Sequence, residues 1–168
     1  LKPTEMKSVG GATLTLLDDG SILASGTNPR QDVYRLVFRD LPIKMGGLRL
    51  EVLPHESLPT GGPGRNPNGN FVLTEISAKF TPQFDDQEQT LSLIGATATH
   101  EQPLHSIASA IDNDDKSNQG WAVFPMIGQR QSAVFGLNDE VVAGPEAALT
   151  ISLLQNYDSH HTLSLIHI

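Results

Sequence analysis

The chain has 168 residues, contains no cysteine, and carries a net charge of −8 from 11 basic and 19 acidic side chains. A chain of this length can bury the core of one domain, and without cysteine it can form no disulfide, thiolate metal site or cysteine nucleophile. The acidic balance argues against nucleic-acid and anionic-membrane partners, because phosphate groups are bound by clustered Lys and Arg.

The first predicted elements are two short β-strands joined by a turn. ATLTLL spans residues 12–17 and SILAS spans residues 21–25, with Asp18, Asp19 and Gly20 between them. An Asp-Gly pair between two β-prone runs is typical of a hairpin. We therefore predict an antiparallel strand pair at this point of the chain.

Two longer strands with one polar face are predicted next. VYRLVFR spans residues 33–39 and GLRLEVL spans residues 47–53, and both alternate apolar with polar side chains. In the first run Tyr34 and alternate residues face inward, and in the second Arg49 and Glu51 face outward. This period of two predicts strands that are buried on one face and wetted on the other.

The segment PHESLPTGGPGRNPNG, residues 54–69, is predicted to be a long loop, because it is rich in Gly, Pro and Asn and has no periodicity. Gly64 and Gly69 have the spacing of a phosphate-binding loop. However, Asn70 and Phe71 replace the Lys and Ser/Thr that such a loop requires, and the run that follows favours a strand rather than a helix. We therefore predict no nucleotide site here.

Five polar side chains of this loop are candidate carbohydrate ligands, because amide, guanidinium and imidazole groups suit sugar hydroxyls and carboxylates. They are His55, Arg65, Asn66, Asn68 and Asn70. The alternative is structural, since Asn and Gly tolerate left-handed turns and Arg65 would cap the loop through a local ion pair. The sequence leaves both interpretations open.

The rest of the chain predicts one short helix, LHSIASAI at residues 104–111, and further short strands. The strand candidates are FVLTEISAKF, TLSLIGATA, WAVF, SAVFGL, ALTISLL and TLSLIHI, at residues 71–80, 90–98, 121–124, 132–137, 148–154 and 162–168. Trp121 is predicted to lie in the core, with stacking on a sugar as the alternative. So many short strands with few hairpin connections predict an all-β fold, an antiparallel β-sandwich of the jelly-roll kind.

Residues 112–115 read DNDD, and we call them the acidic loop. Carboxylate and hydroxyl oxygens are the ligands that Ca²⁺ prefers, and carboxylates this close repel one another without a cation. The candidate calcium ligands are Asp112, Asp114, Asp115 and Ser117. The spacing is not that of an EF-hand, so the alternative is a solvated acidic turn.

Catalytic residues are not arranged as an enzyme would require, so we predict a non-catalytic domain. Glu51 and Glu75 could act as paired acids in glycoside cleavage, but each is expected on the wet face of its strand with an ordinary pKa. His160 and His161 are adjacent in sequence, and adjacent positions on a strand point to opposite faces, so these two residues cannot readily share one metal ion. A hydrolase would need a pocket in which a carboxyl group has a raised pKa.

Several long phrases resemble a known family. GATLTLLDDGSILASGTNPRQDVYRLVF, LRLEVLPHESLPTGGPGRNPNGNFVLTEI and ASAIDNDDKSNQGWAVFP are similar to a non-catalytic β region of planctomycete-type cell-surface proteins, which also carry c-type cytochrome and domain-of-unknown-function portions. AIDNDDKSNQGW also resembles the A-x-D-G-x-x-x-T-x-W phrase of discoidin-type, galactose-binding-like sandwiches. Many of those sandwiches bind glycans and hold a structural calcium, although Asn113 stands here where Gly is usual.

No linker composition divides the chain, so residues 1–168 are predicted to form a single domain. The resemblance implies that this domain is galactose-binding-like and is a piece of a larger exported, periplasmic or cell-surface protein. The first residue, Leu1, is not Met, and no signal peptide opens the chain, as expected for a piece of a longer protein. The expected partner is a polysaccharide or other glycan, with no nucleic acid and no membrane insertion. The alternative function is a structural module that binds no sugar and packs against neighbouring domains of the parent chain through an apolar patch.

Overall fold

A computed structural model describes residues 1–83 and 87–168 of the chain. The described residues form two antiparallel sheets that make a β-sandwich with almost no helix, so the predicted all-β class is confirmed. The two sheets alone do not identify the fold as a jelly roll or as galactose-binding-like, so these two finer assignments stay predictions.

The sandwich has a five-stranded and a six-stranded sheet. The first contains, in spatial order, β1 (Glu5–Ser8), β4 (Asp32–Phe38), β10 (Ala148–Gln155), β6 (Glu75–Thr81) and β7 (Gln89–Leu91). The second contains β2 (Ala12–Leu16), β3 (Ile22–Gly26), β11 (Ile166–His167), β5 (Lys44–Val52), β9 (Gln131–Val142) and β8 (Leu93–Ala98). Most connections cross from one sheet to the other, which explains why few of them are hairpins.

The core lies between the two sheets and is filled by alternate residues of the central strands. In β4, Tyr34, Leu36 and Phe38 are buried while Arg35 is exposed, as the alternating pattern predicts. Trp121 is 0% exposed and its indole N–H donates to the carbonyl of His100. A fully buried ring has no face to offer a sugar, so Trp121 is a core residue, as predicted.

The predicted hairpin is confirmed as β2 and β3. Gly20 has φ +85°, the left-handed conformation that glycine adopts without strain. The Leu17 N–H donates to the carbonyl of Ser21, and an Asp19 carboxylate oxygen accepts from the Ser21 N–H. The Asp-Gly turn therefore folds as local sequence rules require.

The run predicted as one strand at residues 90–98 is divided between β7 and β8, which lie in different sheets. Three other predicted strands are absent or shorter than expected. WAVF forms no strand, because Trp121 makes only an isolated bridge with Leu73. The strand predicted at residues 71–80 begins only at Glu75, and the last predicted strand is reduced to β11. These runs are buried on consecutive residues, so no alternation distinguishes strand from packed loop.

The predicted helix is a single five-residue 3₁₀ helix, Ile107–Ile111. The Ser106 hydroxyl caps it by accepting a hydrogen bond from the Ala108 N–H. Within the described parts of the chain, no helix is long and apolar enough to cross a membrane.

Glu51 and Glu75 are both buried, with 6% and 9% of their surface exposed, so their predicted wet positions are wrong. Glu51 does project from the outer face of β5, but Arg130 and His167 cover it there. Glu75 begins β6 and lies in a small cleft beside Asn113. Neighbouring loops and strands, which a strand pattern does not show, remove both carboxyl groups from water.

The long connections emerge together at one end of the sandwich, which we call the long-loop end. Strands β5, β8 and β10 run toward this end, and β6, β9 and β11 return from it. The connections between them are residues 53–74, 99–130 and 156–165. Such loops on a rigid scaffold are where binding residues usually lie.

Candidate functional site

A cleft of about 160 Å³ opens at the long-loop end, and we call it the loop cleft. All three long connections contribute to its lining, which comprises Asn68, Asn70, Val72, Gln102, His105, Phe124, Tyr157 and His161. Two of the predicted ligand residues, Asn68 and Asn70, therefore line a common cleft. The other lining residues were not predicted, because they come from separate loops that carry no shared motif.

One wall of the loop cleft is aromatic. The Tyr157 ring makes edge-to-face contacts with the imidazoles of His105 and His161, with ring centroids 5.7 and 5.1 Å apart. Phe124 is 50% exposed. Leu104, directly before His105, is 92% exposed and has φ +70°, a conformation that is strained for a bulky residue. Exposed apolar surface and backbone strain therefore coincide at this rim.

Asn70 connects two of the long loops beneath the cleft. It is 4% exposed, its Oδ1 accepts from the Val123 N–H at 3.2 Å, and its Nδ2 donates to Gln102 Oε1 at 2.9 Å. Both atoms of this buried amide are thus satisfied by the protein. Asn70 therefore positions Gln102 rather than facing a ligand itself.

Residues 62–70 form a glycine-rich loop, and its other two asparagines support its backbone. Asn66 Oδ1 accepts from the Asn68 N–H at 3.1 Å, and Asn68 Oδ1 accepts from the Asn70 N–H at 2.8 Å. Asn66 Nδ2 donates to the carbonyl of Ser159 at 2.6 Å. These side-chain caps, rather than left-handed backbone angles, explain the asparagines. Of these three asparagines, only Asn68 has a side-chain nitrogen, Nδ2, without a partner among the described residues.

The glycines allow the two arms of this loop to lie close together. The Gly64 N–H donates to the carbonyl of Gly69 at 3.0 Å. A Cβ added at Gly64 would lie 2.0 Å from the carbonyl oxygen of Asn70, and Gly69 has φ +79°. The spacing that resembles a phosphate-binding loop is therefore explained by backbone packing.

Arg65 and His55 do not line the loop cleft. The Arg65 guanidinium donates to the carbonyls of Gly26 and Thr27, both at 2.7 Å, and forms no ion pair with any described carboxylate. Its predicted local ion pair is therefore wrong. His55 Nδ1 lies 2.7 Å from the Ser57 hydroxyl. The structure does not bring these two residues together with Asn68.

The acidic loop forms an exposed turn. Asp112 Oδ1 accepts from the Asp114 N–H at 2.9 Å, and Asp114 Oδ1 accepts from the Lys116 N–H at 3.1 Å. The Ser117 hydroxyl accepts from the Gln119 N–H at 3.0 Å. Among residues 1–83 and 87–168, no three His, Cys, Asp or Glu side chains converge as a metal centre. Calcium binding at Asp112, Asp114, Asp115 and Ser117 stays a prediction.

Glu75 is the unusual carboxyl group beside this turn. Its Oε2 is buried and has no hydrogen-bond partner among the described residues. Burial, together with the negative charges of the acidic loop, raises the pKa of Glu75 to about 7. The sequence missed this residue because strand alternation placed it in water.

The surroundings of Glu51 shift its pKa in the opposite direction. Although burial opposes ionisation, hydrogen bonds from Arg130 and His167 and the charges of Arg130 and Arg49 lower the pKa of Glu51. Glu51 and Glu75 lie in different sheets and line different clefts, of about 220 and 90 Å³. They therefore do not form the carboxylate pair that glycoside cleavage requires.

A larger groove, of about 310 Å³, lies beside β7 and the end of β9. Phe80 in its lining is buried, so its ring offers no face to a ligand. Lys44 and Glu140 form an ion pair at 2.9 Å at this groove. The loop cleft is therefore the stronger candidate, because exposed aromatic and amide groups meet there.

Comparisons with protein-family models, with curated proteins and with solved structures find no match for this chain. The resemblance to planctomycete-type and discoidin-type proteins therefore stays a prediction.

Proposed function

We propose that this chain is a non-catalytic β-sandwich module that binds carbohydrate through the loop cleft. In this proposal it is an accessory part of a larger exported or cell-surface protein. The observation that carries the proposal is the meeting of the exposed Phe124 ring and the half-buried Tyr157 ring with free amide groups at the long-loop end.

The chemistry of the cleft suits a sugar. Aromatic and apolar side chains pack against the C–H faces of a sugar ring, while amide and phenol groups hydrogen-bond its hydroxyls. The volume of about 160 Å³ is smaller than the ~300–1,000 Å³ of pockets that enclose a whole ligand. The cleft therefore suits one unit of a chain whose remaining units lie outside.

Affinity gel electrophoresis against a panel of polysaccharides tests this function, with Tyr157→Ala and Phe124→Ala as variants. Ile43→Ala is the matched control, because Ile43 is an exposed apolar residue, 75% accessible, at the opposite end. Retardation of wild type and control, with at least about tenfold weaker binding of the cleft variants, is expected. No retardation by any polysaccharide of a broad panel would contradict the proposal.

A second candidate function is packing against a neighbouring domain of the parent chain. Ile94 in β8 and Val134 in β9 are each 45% exposed on the outer face of the six-stranded sheet. Such apolar side chains favour a covered surface in a longer protein. This function predicts that Ile94→Lys increases the solubility of the isolated chain and that no polysaccharide retards the wild type.

We also propose that a calcium ion binds between Glu75 and the acidic loop. The buried Oε2 of Glu75, which has no partner in the described parts of the chain, supports this, as hard oxygen ligands suit Ca²⁺. Calcium should raise the melting temperature of the wild type at pH 8 but not that of Glu75→Gln. An equal response of both proteins, or none, would contradict a site at Glu75.

A further inference from the structure

We propose that the loop cleft recognises the acidic group of an anionic glycan, either a uronate carboxylate or a sulfate ester. This inference rests on the proposed carbohydrate-binding function and narrows it to one class of ligand. It follows from which polar atoms of the cleft the protein leaves free.

The first free atom is the amide nitrogen of Gln102. The Val123 N–H can only donate, so the Asn70 atom that it meets must be Oδ1. The Nδ2 of Asn70 then donates to Gln102, which must accept through Oε1. Backbone geometry thus fixes both amides, and the Gln102 Nε2 is left as a donor with no partner among the described residues.

The second free atom is the amide nitrogen of Asn68. The Asn70 N–H donates to Asn68 Oδ1 at 2.8 Å, which fixes the orientation of this amide. Its Nδ2 has no partner in residues 1–83 and 87–168. Asn68 is exposed, so this donor is available at the mouth of the cleft. Both free amide atoms are therefore donors, while both amide oxygens are already used.

The imidazoles add further binding capacity. His105 Nδ1 is buried without a partner in the described structure. His161 Nδ1 already lies 3.1 Å from the carbonyl of Asp158 and 3.3 Å from Asn66 Nδ2, so Nε2 is its remaining atom. In the tautomer whose Nδ1–H donates to Asp158, Nε2 of the neutral ring can only accept a hydrogen bond. Once the ring is protonated, Nε2 donates, and it then binds a negatively charged ligand oxygen more strongly than a neutral hydroxyl.

The charges around the cleft agree with this assignment. Among the described lining residues there is no Asp or Glu, although the whole chain carries −8. The two acidic residues that are next in sequence to lining residues are already engaged: Asp158 pairs with Arg30 at 3.0 Å, and Glu101 accepts from the Ile107 N–H. An anion in the cleft would therefore meet donors without an opposing free carboxylate.

The histidines make the binding depend on pH. Burial, reinforced by the neighbouring His105, lowers the pKa of His161, so its imidazole is neutral at pH 7. The other histidines of the three long loops are His55, His100, His105 and His160, and the rings of His100 and His160 contact the carbonyls of Phe124 and Asn28. Protonation adds positive charge near the anion, so affinity should rise as the pH falls.

Isothermal titration calorimetry at constant ionic strength tests the inference with three oligosaccharides of equal length. One is neutral, one carries uronate groups, and one carries sulfate groups, which distinguishes the two sources of the anion. At least one acidic ligand should bind at least about tenfold more tightly than the neutral one, and more tightly at pH 5.5 than at pH 8.

Gln102→Glu is the decisive variant, because it keeps the Oε1 that accepts from Asn70 and replaces the free N–H₂ group by a negative oxygen. It should weaken binding of the acidic ligand at least about tenfold more than it weakens binding of the neutral ligand. Asn68→Asp makes the same exchange at the exposed mouth, where folding is not at risk. Asn118→Asp, an exposed residue outside the lining, is the charge-matched control.

Equal binding of neutral and acidic ligands, or unchanged acidic binding by both cleft variants, would overturn this inference while the carbohydrate-binding function stands. Failure of all three ligands, together with failure of the polysaccharide panel, would overturn both.

Discussion

Glu75 begins strand β6 with its carboxyl group turned away from water, and this placement couples the stability of the fold to pH. Its pKa rises from an ordinary value of 4.5 to about 7. Between these two values the folded chain keeps a proton that the unfolded chain has released. The contribution of this group to stability is therefore complete below pH 4.5 and is lost as the pH rises through 7.

Glu75→Gln should remove this pH dependence, because the amide is neutral at every pH. In EDTA at pH 8, the variant should be more stable than the wild type by about 1–3 kcal/mol, while the two should be similar at pH 4.5. Urea denaturation at both pH values measures this difference. Glu146→Gln, at an exposed site, is the control and should show no such change. A Glu75→Gln variant less stable than the wild type at pH 8 would contradict the statement that the ionised Glu75 destabilises the fold.

At the scale of elements, the glycine-rich loop is a narrow structure whose arms touch. Gly64 allows this contact, because its added Cβ would lie 2.0 Å from the Asn70 carbonyl oxygen. Asn70 in turn holds Gln102, so the shape of this loop determines where the free amide of the cleft lies. Loop geometry and binding are therefore linked through one backbone contact.

Gly64→Ala should destabilise the fold by about 2–3 kcal/mol, as overpacking of a close contact does, and should weaken ligand binding. Gly46→Ala is the matched control, because a Cβ at Gly46 meets nothing within 4 Å. Chemical denaturation of both variants measures the difference. Equal stability of the two would show that the loop arms can separate at little cost.

The sequence predicts the half-buried strands better than the packed loops. The runs at β4 and β5 alternate between a buried and a polar face, and the structure confirms them. Trp121 and Phe71 lie in packed loops whose neighbours are also buried, so their residue types indicated strands that do not form. Local patterns identify half-buried strands, whereas packed loops depend on contacts that are distant in sequence.

At the scale of the whole molecule, the sandwich brings together three loops that no motif connects. Asn68 and Asn70 were predicted as ligand residues from composition, and they do line the cleft. Gln102, His105 and Tyr157 could not be predicted, because only the strand order places their loops at the same end. The site is a product of topology more than of local sequence.

Titration of isotope-labelled protein with a uronate or sulfated oligosaccharide, followed by NMR spectroscopy, tests whether the loop cleft binds an acidic sugar. Binding at the loop cleft predicts that the side-chain amide signals of Asn68 and Gln102 shift first, while the signals of residues at the opposite end, such as Ile43, stay unchanged. Shifts confined to the outer face around Ile94 and Val134, or no shifts with any acidic oligosaccharide tested, would contradict it.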